Sequence, residues 1–125
     1  MILSFDRAAE ALDEMAEGFP EPLFDELNGG VNLLPEVQRD PELPDVYILG
    51  EYCDDLLGRY INLYYGSFAA LSEREGWTEA QWNNELRTTL SHELTHHMEG
   101  RAGVDNLDRR DAAKLEAYRR ESGEA

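Results

Sequence analysis

Cysteine is almost missing from this chain: Cys53 stands alone among 125 residues, so no internal disulfide can form and stability has to come from a packed core. Long apolar runs are missing as well. No stretch approaches the ~20 consecutive apolar residues that cross a bilayer as a helix. The opening residues Met1 to Glu10 carry no basic region followed by an apolar run, so no secretory leader is expected. Together these absences make a cytoplasmic protein the expectation, with no membrane among its partners. Positive charge is scarce, with 11 Lys and Arg against 27 Asp and Glu and a net charge of -16. An acidic surface of that strength repels phosphate backbones, which sets nucleic acid aside as a partner and leaves cations and neutral or basic peptides.

What is present is enough for one folded domain over residues 1–125, since 42% of the chain is hydrophobic and 10% aromatic. Ser4 precedes apolar residues Phe5, Ala8, Ala9, Leu12, Met15 and Ala16 at helical steps, and Gly18 and Pro20 stop that helix. A short helix is expected from Pro22 to Leu27, ended by a turn at Asn28, Gly29 and Gly30. The period then changes. Val31 to Leu34, Val46 to Tyr52 and Tyr60 to Tyr65 read as strands, with a proline-rich loop after the first and a turn at Asp54 to Arg59 before the third. A brief helix follows from Phe68 to Glu75. The pattern predicts an α+β fold, with a small mixed sheet packed against a long helix and flanked by other helices.

That long helix begins at a capping box, Thr78 with Gln81, and runs to about Glu99, where Gly100 and Gly103 are expected to interrupt it. Trp82, Leu86, Leu90, Leu94 and Met98 form its apolar stripe. A last helix is expected from Asp105 or Asn106 to about Arg120.

Histidine is rare too, yet two of the three lie four residues apart on this helix, in the run His92, Glu93, Leu94, Thr95, His96. Two imidazoles one turn apart can share a tetrahedral zinc ion, and the carboxylate after the first histidine can take a proton from water held by that ion. At about 100° per residue both histidines fall nearly opposite Leu90. His97 points back toward the apolar stripe, so its expected role is structural, with an imidazole hydrogen bond inside the fold. A catalytic zinc site needs a third protein ligand. Asp111 is the first candidate, then Glu99, which would reach only if the helix frays at Gly100, then Asp105. Tyr64 and Tyr65 are read as packing residues rather than oxyanion donors. An extended substrate is expected along a strand edge near Tyr60 to Tyr65.

The segments Leu27 to Glu36, Tyr47 to Glu51, Gly58 to Ile61, Tyr64 to Phe68 and Arg87 to Gly103 resemble the small bacterial zincin-like metallopeptidases, sometimes called minimal zincins. The resemblance implies a compact zincin-like fold, bound zinc and peptidase chemistry, with His92 and His96 as ligands and Glu93 as general base. Many relatives place a glycine soon after the second histidine and an aspartate three residues later as third ligand. Here Gly100 and Gly103 are followed in that register by Gly103 and Asn106, so the third ligand does not carry over. Two other readings accompany this one. A deformylase-type amidohydrolase would take its third ligand from Cys53, and a non-catalytic zincin-like module would bind metal without turnover.

Overall fold

The computed structural model describes residues 1–102, so the helix expected after Asp105, and with it the candidates Asp105 and Asp111, lies outside the described residues. Ser4 caps the first helix, α1 (Phe5–Gly18), by accepting the backbone N–H of Arg7, and Ala8, Leu12 and Met15 form its buried face. The stop at Gly18 falls where expected. The helix anticipated from Pro22 to Leu27 contracts to a single 3-10 turn, Glu21–Phe24, because the chain turns extended at Asp25 and left-handed at Glu26, φ 64°. A left-handed non-glycine residue is strained, so the surrounding structure has to hold it there.

Three strands follow: β1 (Val31–Leu34), β2 (Gly50–Asp55) and β3 (Gly58–Tyr64). They form a mixed sheet in the order β1-β3-β2, with β1 parallel and β2 antiparallel to β3. The β2–β3 turn is tight, with Asp55 opposite Gly58 and only Leu56 and Leu57 between them. Gly58 is required there: its φ is +113°, and a Cβ would sit 2.3 Å from the Asn28 amide.

Two expectations change. The apolar stretch from Val46 pairs first with its own loop, through Ile48 N–H to the Gln38 carbonyl and Asp40 N–H to the Val46 carbonyl, then meets β3 where the Leu49 carbonyl accepts the Tyr64 N–H, and strand β2 begins at Gly50. Val46 and Leu49 are buried from that loop, so burial alone accounts for their apolar character. The second change concerns β3, which is paired on both sides and is therefore the central strand. No substrate can lie along an edge at Tyr60 to Tyr65; among the described residues the edge strands are β1 and β2. Alternating apolar residues are compatible with either position in a sheet, and what marks the centre is Ile61 and Leu63 buried completely.

Helix α2 (Tyr65–Glu75) begins directly where β3 ends, earlier than expected, and Gly76 closes it in the left-handed conformation. Tyr65 thus belongs to a helix, where its ring stacks on Trp82 and its hydroxyl donates to the Leu3 carbonyl. Helix α3 (Glu79–Arg101) carries the expected capping box, with Thr78 Oγ1 accepting the Gln81 N–H at 3.2 Å and Gln81 Oε1 accepting the Thr78 N–H at 2.8 Å. Replacing Thr78 with alanine should lower stability by about 1 kcal/mol, read as a fall of about 4 °C in the thermal midpoint.

The core lies between the sheet, α1 and α3, with Trp82, Leu86 and Leu90 fully buried at its centre. Trp82 also donates its indole N–H to Ser72 Oγ at 2.9 Å, so the largest core side chain leaves no buried donor unmet. The stripe ends at Leu94. Met98, expected to continue it, is 46% exposed. Helix α3 is nevertheless continuous through Gly100 to Arg101. Among the described residues, no helix is long and apolar enough to cross a membrane.

Candidate metal centre

Helix α3 buries more than an apolar stripe. Thr89, Glu93, His96 and His97 are buried together with Trp82, Leu86, Leu90 and Leu94. With a step of about 100° per residue, Thr89, Glu93 and His96 fall within about 60° of one another on a flank of the stripe, and His92 follows about 40° beyond His96. His92 is half-buried. The motif therefore lies where the packed side of the helix meets solvent, not opposite the core as helical spacing alone indicated.

The edge strand β2 packs over that flank. A Cβ at Gly50 would lie 2.6 Å from Thr89 Cγ2 and 3.4 Å from Glu93 Cγ, so only glycine lets the strand backbone come this close to the glutamate. A glycine opening a strand signals such close approach, and it is the one sequence mark that identifies Gly50 as part of this region.

His92 Nε2 and His96 Nε2 are 3.1 Å apart, with the two rings nearly perpendicular at 87°. Two nitrogens bound to one tetrahedral zinc at ~2.05 Å would be separated by ~3.3 Å. The donor pair thus has the chemistry and close to the spacing that a single ion demands. One Glu93 carboxylate oxygen joins the group, with all three donor atoms within 4.8 Å of one another. Glu93 is 2% exposed.

Among the described residues, the other sequence candidates are not brought to this point. Glu99 is absent from the cluster among the described residues, because α3 does not fray at Gly100 and keeps it a turn away. Asp111 and Asp105 lie outside the described residues. Cys53 alternates with Tyr52 along β2, and Tyr52 faces α3, so the thiol points to the other side of the sheet and donates to Glu51 Oε1 at 3.5 Å. Burial, then the Glu51 charge, pushes that thiol up to about 11, so without a metal it stays protonated at neutral pH.

His97 takes the structural role expected of it. It is fully buried, its Nε2 lies 2.7 Å from the Asp25 carbonyl, and its Nδ1 lies 2.9 Å from the Tyr52 hydroxyl. A carbonyl only accepts, so Nε2 carries the proton and Nδ1 accepts from Tyr52. Burial, then the charge of Asp54, pushes the Tyr52 hydroxyl up, which keeps it protonated as that donor.

A cleft of about 210 Å³ between α1 and the start of α3 is walled in part by Arg7, Glu10, Glu79 and Arg87. None of the metal-centre residues lines it. Its Arg7 is paired with Glu79 at 2.9 Å and with Glu10 at 3.6 Å, so it is ordinary solvated charge.

No family model matches the chain, and no curated protein does. Among solved structures, a conserved hypothetical protein from Thermus thermophilus is 36% identical, with a TM-score of 0.71, over 80% of this chain and 98% of that one.

Proposed function

This chain belongs to the family of that conserved hypothetical protein from Thermus thermophilus, and from its histidine pair we propose a zincin-like, zinc-dependent hydrolase that cleaves amide bonds in peptides. The observation that carries the reading is the 3.1 Å separation of His92 and His96 Nε2, with the Glu93 carboxylate in the same cluster. A hydrogen-bonded histidine pair alone needs no carboxylate beside it. Hydrolysis does, because something has to take the proton as water attacks.

His92 and His96 would hold the ion, and Asp111 is proposed as the third ligand. Zinc, when bound, would lower the pKa of a water and polarise the carbonyl under attack. Glu93 would accept a proton from the attacking water and return it to the leaving amine. Its burial under Gly50 excludes bulk water and strengthens its electrostatic influence on the reacting groups. Among the described residues β2 is an edge strand, and its Gly50 lies against Glu93, so the outer edge of β2 would offer main-chain hydrogen bonds to an extended peptide in place of the β3 edge anticipated from sequence. A net charge of -16 favours neutral or basic peptides, and a cytoplasmic location fits the lone cysteine.

The reading is tested by titrating metal-free protein with zinc, then challenging the loaded form with an unbiased peptide library. One equivalent per chain is expected, with cleavage that a chelator stops and added zinc restores. Failure to bind zinc above background would overturn it.

A further inference from the structure

We infer that His97 is a positioning residue for the metal centre: its two buried hydrogen bonds keep His96 in register with His92, an inference that rests on the zinc reading above. The need for such a residue arises from where the site falls along α3. The helix ends at Arg101, five residues after His96, and helix ends fray. On α3 itself apolar anchoring thins out, since Leu94 is its last buried apolar residue and Met98 is 46% exposed. Past Leu94, His96 and His97 are the buried side chains. Among the described residues, the stretch carrying the second ligand is held by the hydrogen bonds of His97 together with the Tyr52 ring, which contacts His97 and lies against Gly100.

His97 supplies the buried part of that hold. Its Nε2–H donates to the Asp25 carbonyl and its Nδ1 accepts from the Tyr52 hydroxyl, so one ring ties α3 to the edge strand and to the turn before β1. That turn is itself fixed. Glu26, strained at φ 64°, meets Arg101 at 3.0 Å and Arg59 at 3.9 Å, which returns the end of α3 to the same place from the solvent side. Successive residues on a helix are rotated by about 100°, so fixing the direction of His97 also fixes that of His96.

The two neighbouring histidines are thereby given different work. Both nitrogens of His97 are engaged, so it does not compete as a ligand, whereas His96 Nε2 is directed at His92 Nε2. Metal–ligand distances tolerate only about 0.2 Å, so a small swing of this helix end is enough to weaken the site.

The test compares wild type with Tyr52→Phe, which removes one hydroxyl, and with His97→Gln, whose amide nitrogen can still donate to Asp25. Zinc affinity is measured by competition with a chromophoric chelator. The visible spectrum of the cobalt-loaded protein and the thermal midpoint of the metal-free protein are recorded alongside. Zinc affinity should fall about 10-fold or more in both variants. The cobalt bands should shift, while the metal-free midpoint of Tyr52→Phe drops by no more than about 4 °C. His97→Leu should bind zinc more weakly than His97→Gln, since the glutamine restores one of the two bonds. Unchanged zinc affinity and cobalt spectra in Tyr52→Phe and His97→Gln, with wild type binding one equivalent, would overturn this inference and leave the proposed function standing. Wild type taking up no zinc would remove both.

Discussion

Glu93→Gln should retain one zinc per chain and lose peptide turnover by a factor of about 10² to 10⁴ or more. The amide has nearly the size and shape of the carboxylate, so it can occupy the space between Gly50 and the histidines without moving either. What it lacks is the capacity to accept a proton at neutral pH. Metal content by mass spectrometry and cleavage rate measured on the same preparation separate the two effects. Loss of zinc together with activity would show that Glu93 holds the centre together instead. Turnover persisting at the wild-type rate would end its assignment as general base.

His96→Ala should lower zinc affinity at least about 100-fold, the largest effect expected on metal binding. Removing one of two nitrogens 3.1 Å apart leaves a single imidazole on this helix, and one imidazole does not distinguish zinc from competing ions. The residue is 9% exposed, so removing its ring also opens a small space at the margin of α3, and the metal-free stability of the variant provides the control. Full zinc stoichiometry at unchanged affinity would refute the coordination. Asp111→Asn, measured in the same series, tests the proposed third ligand. A fall comparable to that of His96→Ala supports it, and an unchanged affinity assigns that position elsewhere.

The edge strand shows how a correction to the fold changes the chemistry. Reading Tyr60 to Tyr65 as a sheet edge placed the substrate on the strand that turns out to be central. The edge that lies against Glu93 is β2, and it comes close because residue 50 has no side chain. Local pattern is blind to this, since a strand's neighbours are set by pairings with distant segments.

From the residues alone came α1 and the start of α3 with their caps, because Ser4 and Thr78 act within four residues of themselves. The His92, Glu93 and His96 grouping was equally legible, because one turn of helix is a local object, and so was the structural part played by His97. Its partners were not. Asp25, Tyr52 and Gly50 reach α3 only after the sheet has assembled, from positions 72, 45 and 39 or more residues away along the chain. Glu99 was decided the same way. Whether α3 opens at Gly100 depends on what grips its end, and Glu26 with Arg101 and Tyr52 with His97 do so from elsewhere in the fold. Short-range sterics and hydrogen bonding write themselves into neighbouring residues, whereas strand order, burial at a helix flank and the grip on a helix end are agreements between distant ones.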